Sequence, residues 1–221
     1  MQKTCSSQKK VVTLQPQRCV RTFVNSIMAE QYRTISQPAE GLYKDKGSKF
    51  LAFAEPVSSV EEAKERLDFY RKEYHDARHV CYAYRILECA PTSDEPYKLE
   101  RFERSSDDGE PSGTAGRPIM GRLESRDLMN VLVVVVRYFG GILLGTGGLI
   151  VAYREATADA LEHAEIVERE VMYTQTVRFP YERMNDVMRI LKNQNARIIR
   201  QDWEDGACVI ECECANHITI T

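Results

Sequence analysis

VLVVVVRYFGGILLGTGGLIVA, Val131–Ala152, is the stretch on which the reading of the chain turns. Leu132–Val136 are apolar or β-branched without alternation, the pattern of a short central strand covered on both faces. The run stops at Arg137-Tyr138-Phe139. Gly140, Gly141, Gly145, Gly147 and Gly148 then predict a loop, because glycine tolerates positive φ and admits a close backbone neighbour. From Leu149 onward Ile150, Ala152, Tyr153, Ala156, Ala160, Leu161 and Ala164 keep helical spacing. The unit reads as strand, glycine-rich loop, helix.

Upstream, Gln31–Ser36 and Gly41–Glu55 are β-like runs, the second folded into a hairpin at Asp45-Lys46-Gly47-Ser48. Ser58-Ser59 ahead of Val60, Ala63, Leu67, Phe69, Tyr70 and Tyr74, with Glu61-Glu62 in the first turn, predicts a serine-capped helix. Arg78–Leu87 alternates as a strand, Cys89–Pro96 reads as a loop, and Tyr97–Arg104 reads as a further strand. Ser105–Pro118 is too rich in turn formers for a regular element, and a short helix is expected over Ile119–Asp127. Downstream, Glu165, Glu168 and Glu170 predict a solvent-facing acidic connection with a domain boundary at 165–170. Val171–Phe179, Tyr181–Asn193, Ala196–Gln201 and Ala207–Cys214 then form a β-α-β-β string, the last two strands joined at Trp203–Gly206. The expected organisation is a disordered basic tail or mis-assigned start over 1–28, a larger domain over 29–166 and a small one over 170–221.

The chain has 221 residues, 43% hydrophobic and 29% charged, which suits one or two globular domains with a real core. A net charge of -3 excludes bulk attraction to nucleic acid or anionic membrane, so binding of that kind must be regional. No apolar run reaches the roughly 20 residues needed to span a bilayer. The seven cysteines form neither a paired framework nor a CxxC, which points to a reducing cytoplasm. Residues 1–27 carry Lys3, Lys9, Lys10, Arg18 and Arg21 and no acid, with Met28 opening the folded part.

Four motifs bear on chemistry. Backbone N–H groups near Gly147-Gly148-Leu149 at a helix start suit an anion. GTGGLI lacks the last glycine of GxGxxG, and no GK[ST] follows, so a nucleotide fingerprint is not met. Arg117, Arg137 and Arg154 would add charge and Tyr138 or Phe139 would stack on bases; the bland alternative is a tight crossing whose aromatics enter the core. GEPSG around Ser112 is G-x-x-S-G, the wrong spacing for a nucleophile elbow. His79 and Cys81 share a strand face, and Asp107, Asp108 or Glu110 would complete a cysteine–histidine–acid or metal site if they met; a packed, hydrogen-bonded pair is the simpler reading. Cys208, Cys212, Cys214 and His217 suggest zinc by residue type, but strand alternation places the cysteines on one face as buried thiols. No metal or cofactor is expected.

KGSKFLA (Lys46–Ala52), ARHVCYAYR (Ala77–Arg85), DDGEPSGTAGRPIM (Asp107–Met120) and VVVVRYFGGILLGTGGLIVAYREA (Val133–Ala156) together resemble the IMPACT family, in particular its YigZ-like bacterial members. The resemblance covers about residues 40–160 and implies an α+β chain. Its N-terminal domain would be an α/β sandwich of the type in a ribosomal protein and in domain IV of elongation factor G. A ferredoxin-like C-terminal domain resembling domain V of that factor would follow. The β-α-β-β string lacks the last helix and strand of that second domain, so an incomplete sheet is expected, truncated or completed by a partner. The family's eukaryotic members are linked to translational control through an extra N-terminal domain that 1–30 is too short to be.

The expectation is therefore a cytoplasmic, non-enzymatic protein associated with RNA or the ribosome and connected with regulation of translation. Gly140, Gly141, Gly145, Gly147 and Gly148 would line its phosphate-binding loop, with Arg117, Arg137, Tyr138 and Arg154 contributing. Asp108 and Glu110 would either accept bonds from Arg137 or hold the loop's shape. The rivals are a hydrolase-like enzyme using His79 and Cys81 with Asp108 or Glu110, and a module that regulates translation through a protein partner without touching nucleic acid.

Overall fold

The computed structural model describes residues 11–13, 31–90, 98–204 and 206–215. In chain order the elements are β1 (Val11–Thr13), β2 (Gln31–Ile35), β3 (Ala39–Asp45), β4 (Ser48–Pro56), α1 (Val60–Glu73), β5 (His79–Ala90), β6 (Lys98–Ser106) and α2 (Gly116–Ser125). They continue with β7 (Val131–Tyr138), α3 (Gly145–His163), β8 (Ile166–Glu170), β9 (Tyr173–Pro180), α4 (Met184–Asn193), β10 (Arg197–Glu204) and β11 (Ala207–Cys214). The fold is mixed α/β in two compact units. One comprises Tyr32–Cys89 with Leu99–Arg169, and the other contains the chain from Glu170 onward together with β1.

In the larger unit β7 is the middle strand of a five-stranded sheet ordered β3-β4-β7-β5-β6. It runs antiparallel to both β4 and β5. Its unbroken apolar run follows from helices on both faces rather than from a parallel sheet. Val131, Val133 and Val135 pack with α2 and α3, while Leu132, Val134 and Val136 pack with α1. The β3–β4 hairpin turns at Lys46 and Gly47, both at positive φ, as a two-residue turn matching strand twist requires. Helix α1 starts as its sequence predicts, with the Ser59 hydroxyl accepting from the Glu62 amide at 3.1 Å. Gly41 lets α3 lie directly on β3, since a Cβ there would sit 2.3 Å from the Ala160 nitrogen.

Three expectations are corrected. Helix α2 begins at Gly116, so Gly116-Arg117-Pro118 form its first turn, where proline's missing N–H costs nothing. Helix α3 begins at Gly145, four residues before the apolar periodicity, so Gly145, Gly147 and Gly148 belong to its first turn and not to a loop. The acidic connection is a strand: β8 pairs with β2, and the Ser36 amide and hydroxyl bind Glu165 at 2.9 and 2.7 Å.

The smaller unit is a four-stranded sheet ordered β1-β9-β11-β10, with α4 against the buried face of β9 and β11. Cys208, Cys212 and Cys214 are buried on that face, as alternation predicts, whereas His217 lies outside the described residues. The outer edge of β9 carries β1 in parallel register Val11↔Thr176, which corrects the disordered-tail expectation for these three residues, since β9 offers them an open edge to pair with. The rest of that segment, like most of the Cys89–Pro96 loop, lies outside the described residues. No described helix is long and apolar enough to cross a membrane.

Candidate functional site

Strand register builds the site. Phe50 on β4, Arg137 on β7 and His79 on β5 are lateral neighbours on the sheet face that carries α2 and α3. An arginine on that face must be desolvated, and Arg137 is only 5% exposed, which a lone guanidinium does not tolerate. Glu110, arriving from the β6–α2 loop, accepts from Arg137 Nη1 at 2.5 Å through Oε1, and the same oxygen accepts from the Tyr153 hydroxyl at 2.8 Å. The guanidinium carbon lies 5.5 Å from the Phe50 ring centre and 5.7 Å from that of Phe139.

The β6–α2 loop is held by its own carboxylates. Asp107 accepts from the amides of Gly113, Ala115 and Gly116 at 2.8, 2.9 and 2.8 Å, closing the loop and satisfying donors at the start of α2. Burial alone would raise its pKa, but these three bonds together with the charge of Arg117 hold the carboxyl below its usual value. A carboxylate lowered on folding stabilises the fold above its unfolded pKa, and the contribution is lost as pH falls through the folded value. Asp107→Asn is therefore expected to lower stability at neutral pH and to flatten the decline expected of the parent below about pH 4, as measured by urea unfolding across pH. Asp108 and Gly109 turn the chain at positive φ, and the Asp108 carboxylate accepts from the Val80 amide at 2.7 Å.

His79 bonds the Asp108 carbonyl through Nδ1 at 2.7 Å and faces Glu110 Oε2 with Nε2 at 3.8 Å. Cys81 is fully buried and donates to the Asp107 carbonyl at 3.0 Å. Burial pushes the thiol up, more than the bond to Tyr153 lowers it, with the nearby carboxylates adding to the rise. His79, Cys81 and Glu110 thus converge, but the sulfur is a neutral packed group and not an accessible nucleophile. Asp108 is spent on the strand amide. Among the described residues no cluster of acids, histidines and cysteines has the shape of a metal site.

A cavity of about 590 Å³ opens above this pair, lined by Arg78, His79, Glu110, Pro111, Arg137, Phe139, Leu143, Leu144, Gly145, Thr146 and Leu149. The two loops singled out from sequence therefore do meet, and Gly145 stands at their junction. Helix α3 points its start here with no side-chain cap and no acid in its first turn. Phe139 and Leu143 are 48% and 81% exposed at the rim. Arg78, which sequence reasoning passed over although it sits inside ARHVCYAYR, is exposed at the mouth.

The remaining sequence candidates divide. Tyr138 belongs to the opposite sheet face, packed beside α1 with its hydroxyl donating to Asp76 at 2.9 Å, so it does not stack in the cavity. Arg154 is exposed and paired with Glu155 at 3.0 Å, and Arg117 is exposed near Asp107; neither lines the cavity. Gly140 is dictated by packing, because a Cβ there would sit 2.0 Å from the Gly47 carbonyl carbon. Gly141 and Gly145 have positive φ. A Cβ on Gly147 would meet nothing within 4 Å, so the fold supplies no steric reason for that glycine, while at Gly148 it would lie 3.0 Å from Leu144 Cβ. Tyr153 was legible only as a core helix residue; its hydroxyl's part in the Glu110 pair had no sequence signal.

Comparison with known proteins fits this architecture. Residues 46–161 match the Impact N-terminal domain, a span that takes in β4 to α3 and every cavity-lining residue. The chain is 33% identical over 175 residues to the IMPACT family member YigZ of Escherichia coli (strain K12), covering 79% of this chain and 82% of that protein. It is 38% identical over 145 residues to YvyE of Bacillus subtilis (strain 168), covering 66% of this chain and 62% of that relative. A crystal structure described as that of a hypothetical protein superposes with a TM-score of 0.63 at 30% identity, covering 85% of this chain and 86% of that one. On the domain match and the YigZ alignment together, the chain belongs to the IMPACT family.

Proposed function

We propose that this protein acts in the cytoplasm in the regulation of translation, without catalysis, by binding single-stranded RNA or a ribosomal RNA segment at the cavity between the β6–α2 and β7–α3 loops. The observation that carries the reading is the composition of the mouth. The exposed Arg78 and the uncapped start of a 19-residue helix, entered through Gly145, line the same cavity as the exposed Phe139. Helix-start amides and arginine suit phosphate, and an aromatic face suits a base; side by side they suit a nucleotide unit of a single strand. Arg78 and Phe139 take the roles that the sequence offered to Arg137 and Tyr138, beside Gly145. Arg137 instead neutralises Glu110, which removes the repulsion a buried carboxylate would exert on phosphate.

The same reading assigns the larger unit to the sandwich type of elongation factor G domain IV and the smaller to the ferredoxin-like type. In support of the second, β9, α4, β10 and β11 follow one another as β-α-β-β with spatial order β9-β11-β10. The position beside β9 that a fourth strand takes in such a unit is filled here by β1, though in parallel orientation.

Filter retention of tRNA, rRNA fragments and ribosomes across a salt series tests the function. Binding is expected to fall linearly on a log–log plot, and Arg78→Ala to reduce the slope by about 0.7, the share of one phosphate contact on a single strand. No retention at low salt would remove RNA as the ligand and leave a protein partner as the reading to pursue.

A further inference from the structure

We infer that the open edge of β10 is a self-association surface, on which a second copy of this chain adds its own β10 in antiparallel register about a two-fold axis at Gln201. The surface belongs to the smaller unit and does not depend on RNA binding at the cavity of the larger one.

Strand β10 ends its sheet. Among the described residues it pairs with β11 alone, so the N–H and C=O groups along its other side have no strand to meet. It carries neither proline nor lysine, the residues that commonly blunt such an edge, and seven of its eight side chains are exposed. The register with β11 sorts those side chains by face. Cys208, Ile210 and Cys212 are buried under α4, so the residues opposite them, Trp203, Gln201 and Ile198, share that face. Arg197, Arg200, Asp202 and Glu204, opposite Glu213, Glu211, Val209 and Ala207, take the other, and Ile199 is the extra residue of a bulge. Helix α4 packs on β9 and β11 and leaves Ile198 and Trp203 38% and 52% exposed.

A strand that pairs with its own copy must present a self-complementary row, and this one does. About an axis at Gln201, Arg200 faces the partner's Asp202. Beyond the bulge Ile198 faces the partner's Trp203, and Arg197 faces the partner's Glu204. Each pairing joins residues of the same face, opposite charges on one and apolar side chains on the other, and the two-fold axis makes each of them twice. Within one chain Arg197 already binds Glu213 at 2.6 Å, and Arg200 lies opposite Glu211 and 2.5 Å from Asp202. The added strand sets an acid on the outer flank of each arginine, so both rows read acid, arginine, acid across three strands. Other registers fail. An axis at Arg200 or Asp202 sets like charges face to face, and one between Arg200 and Gln201 opposes residues of different faces.

Sedimentation velocity of the full chain across a concentration series tests the surface, with Trp203, the only tryptophan of the chain, as a local reporter. The chain is expected to pass from monomer to dimer as concentration rises, and Trp203 emission to shift to the blue in step, as the partner's Ile198 covers the ring. Arg200→Glu and Asp202→Arg each oppose like charges at both symmetric positions, and each is expected to raise the dimer dissociation constant about 10-fold or more. An equimolar mixture of the two variants opposes unlike charges again at both positions and is expected to recover dimers of parental affinity, a recovery that misfolding cannot produce. Arg197→Glu with Glu204→Arg repeats the design should either of the first pair fail to fold. A chain monomeric at every concentration would overturn the self-association and leave the edge to a strand of a different protein. A dimer that leaves Trp203 emission unmoved, that neither charge variant weakens, or that the mixture does not restore would overturn it as well.

Discussion

Arg137→Ala is expected to lower the unfolding free energy of the larger unit by about 3–5 kcal/mol, the range for removing one partner of a buried ion pair. Arg137 and Glu110 are 5% and 8% exposed, their contact is 2.5 Å long, and among the described residues Arg137 is the cation paired with Glu110 Oε1. The truncation leaves a carboxylate in a site walled by Phe50, Tyr153 and the β7 valines, and also deletes the guanidinium's contact with the Phe50 ring. Urea unfolding monitored by circular dichroism measures the loss. The pair is not a source of net stability in itself, since replacing two buried charges by apolar groups of similar volume is often neutral or better. The double variant Arg137→Met with Glu110→Leu is accordingly expected to recover most of what the single variant loses. A loss below about 1 kcal/mol for Arg137→Ala would place the pair in solvent and contradict the site's geometry.

Gly41→Ala carries the second large effect. A Cβ on Gly41 would lie 2.3 Å from the Ala160 nitrogen and 2.8 Å from both the Ala156 oxygen and the Ala160 Cα, all backbone atoms of α3. No rotamer relieves such a contact, so β3 and α3 must separate along a seam otherwise fixed by the Leu42 amide on the Asp159 carboxylate at 2.8 Å. The cost is expected at or above the upper end of the roughly 1–3 kcal/mol typical of overpacking, measured as a shift in the urea midpoint at unchanged slope. An alanine accommodated without loss would mean that the strand and helix are further apart than described.

What could be read from sequence divides along the range of the interactions. The β3–β4 hairpin, the Ser59-capped helix and the alternation of β5 and β11 rest on residues within a few positions of one another, where turn chemistry, capping and side-chain period act directly. The start of α3 was placed late because Gly145, Gly147 and Gly148 look like breakers. At the first turn of a helix the amides are unpaired in any case, and the long apolar pattern behind them extends the helix back through the glycines. The acidic residues of β8 concealed a strand because its partner, β2, lies some 130 positions away in sequence, where no local pattern reaches.

The site shows the same division more sharply. That the β6–α2 and β7–α3 loops belong to one surface could be read from their composition, and they do share one cavity. The roles within them could be read only in part, since Glu110 as acceptor for Arg137 stood as one of two alternatives. Arg137 looks like a phosphate ligand until β7 turns it onto a buried face beside His79 and Phe50, and only the arrival of Glu110 from 27 residues earlier makes that position tenable. Tyr138, its neighbour, is carried to the other face by the two-residue period of the strand. Arg78 precedes His79 in an alternating run and drew no attention, yet it is the exposed cation at the mouth.

The most direct test of an RNA-binding cavity is the salt dependence of single-stranded RNA binding by the full chain, with Arg78→Ala set against Arg154→Ala. Both residues are exposed arginines of the larger unit, but only Arg78 lines the cavity. The slope is expected to fall by about 0.7 for Arg78→Ala and to stay unchanged for Arg154→Ala. Equal effects of the two substitutions, or none from Arg78→Ala, would place the RNA elsewhere and contradict it.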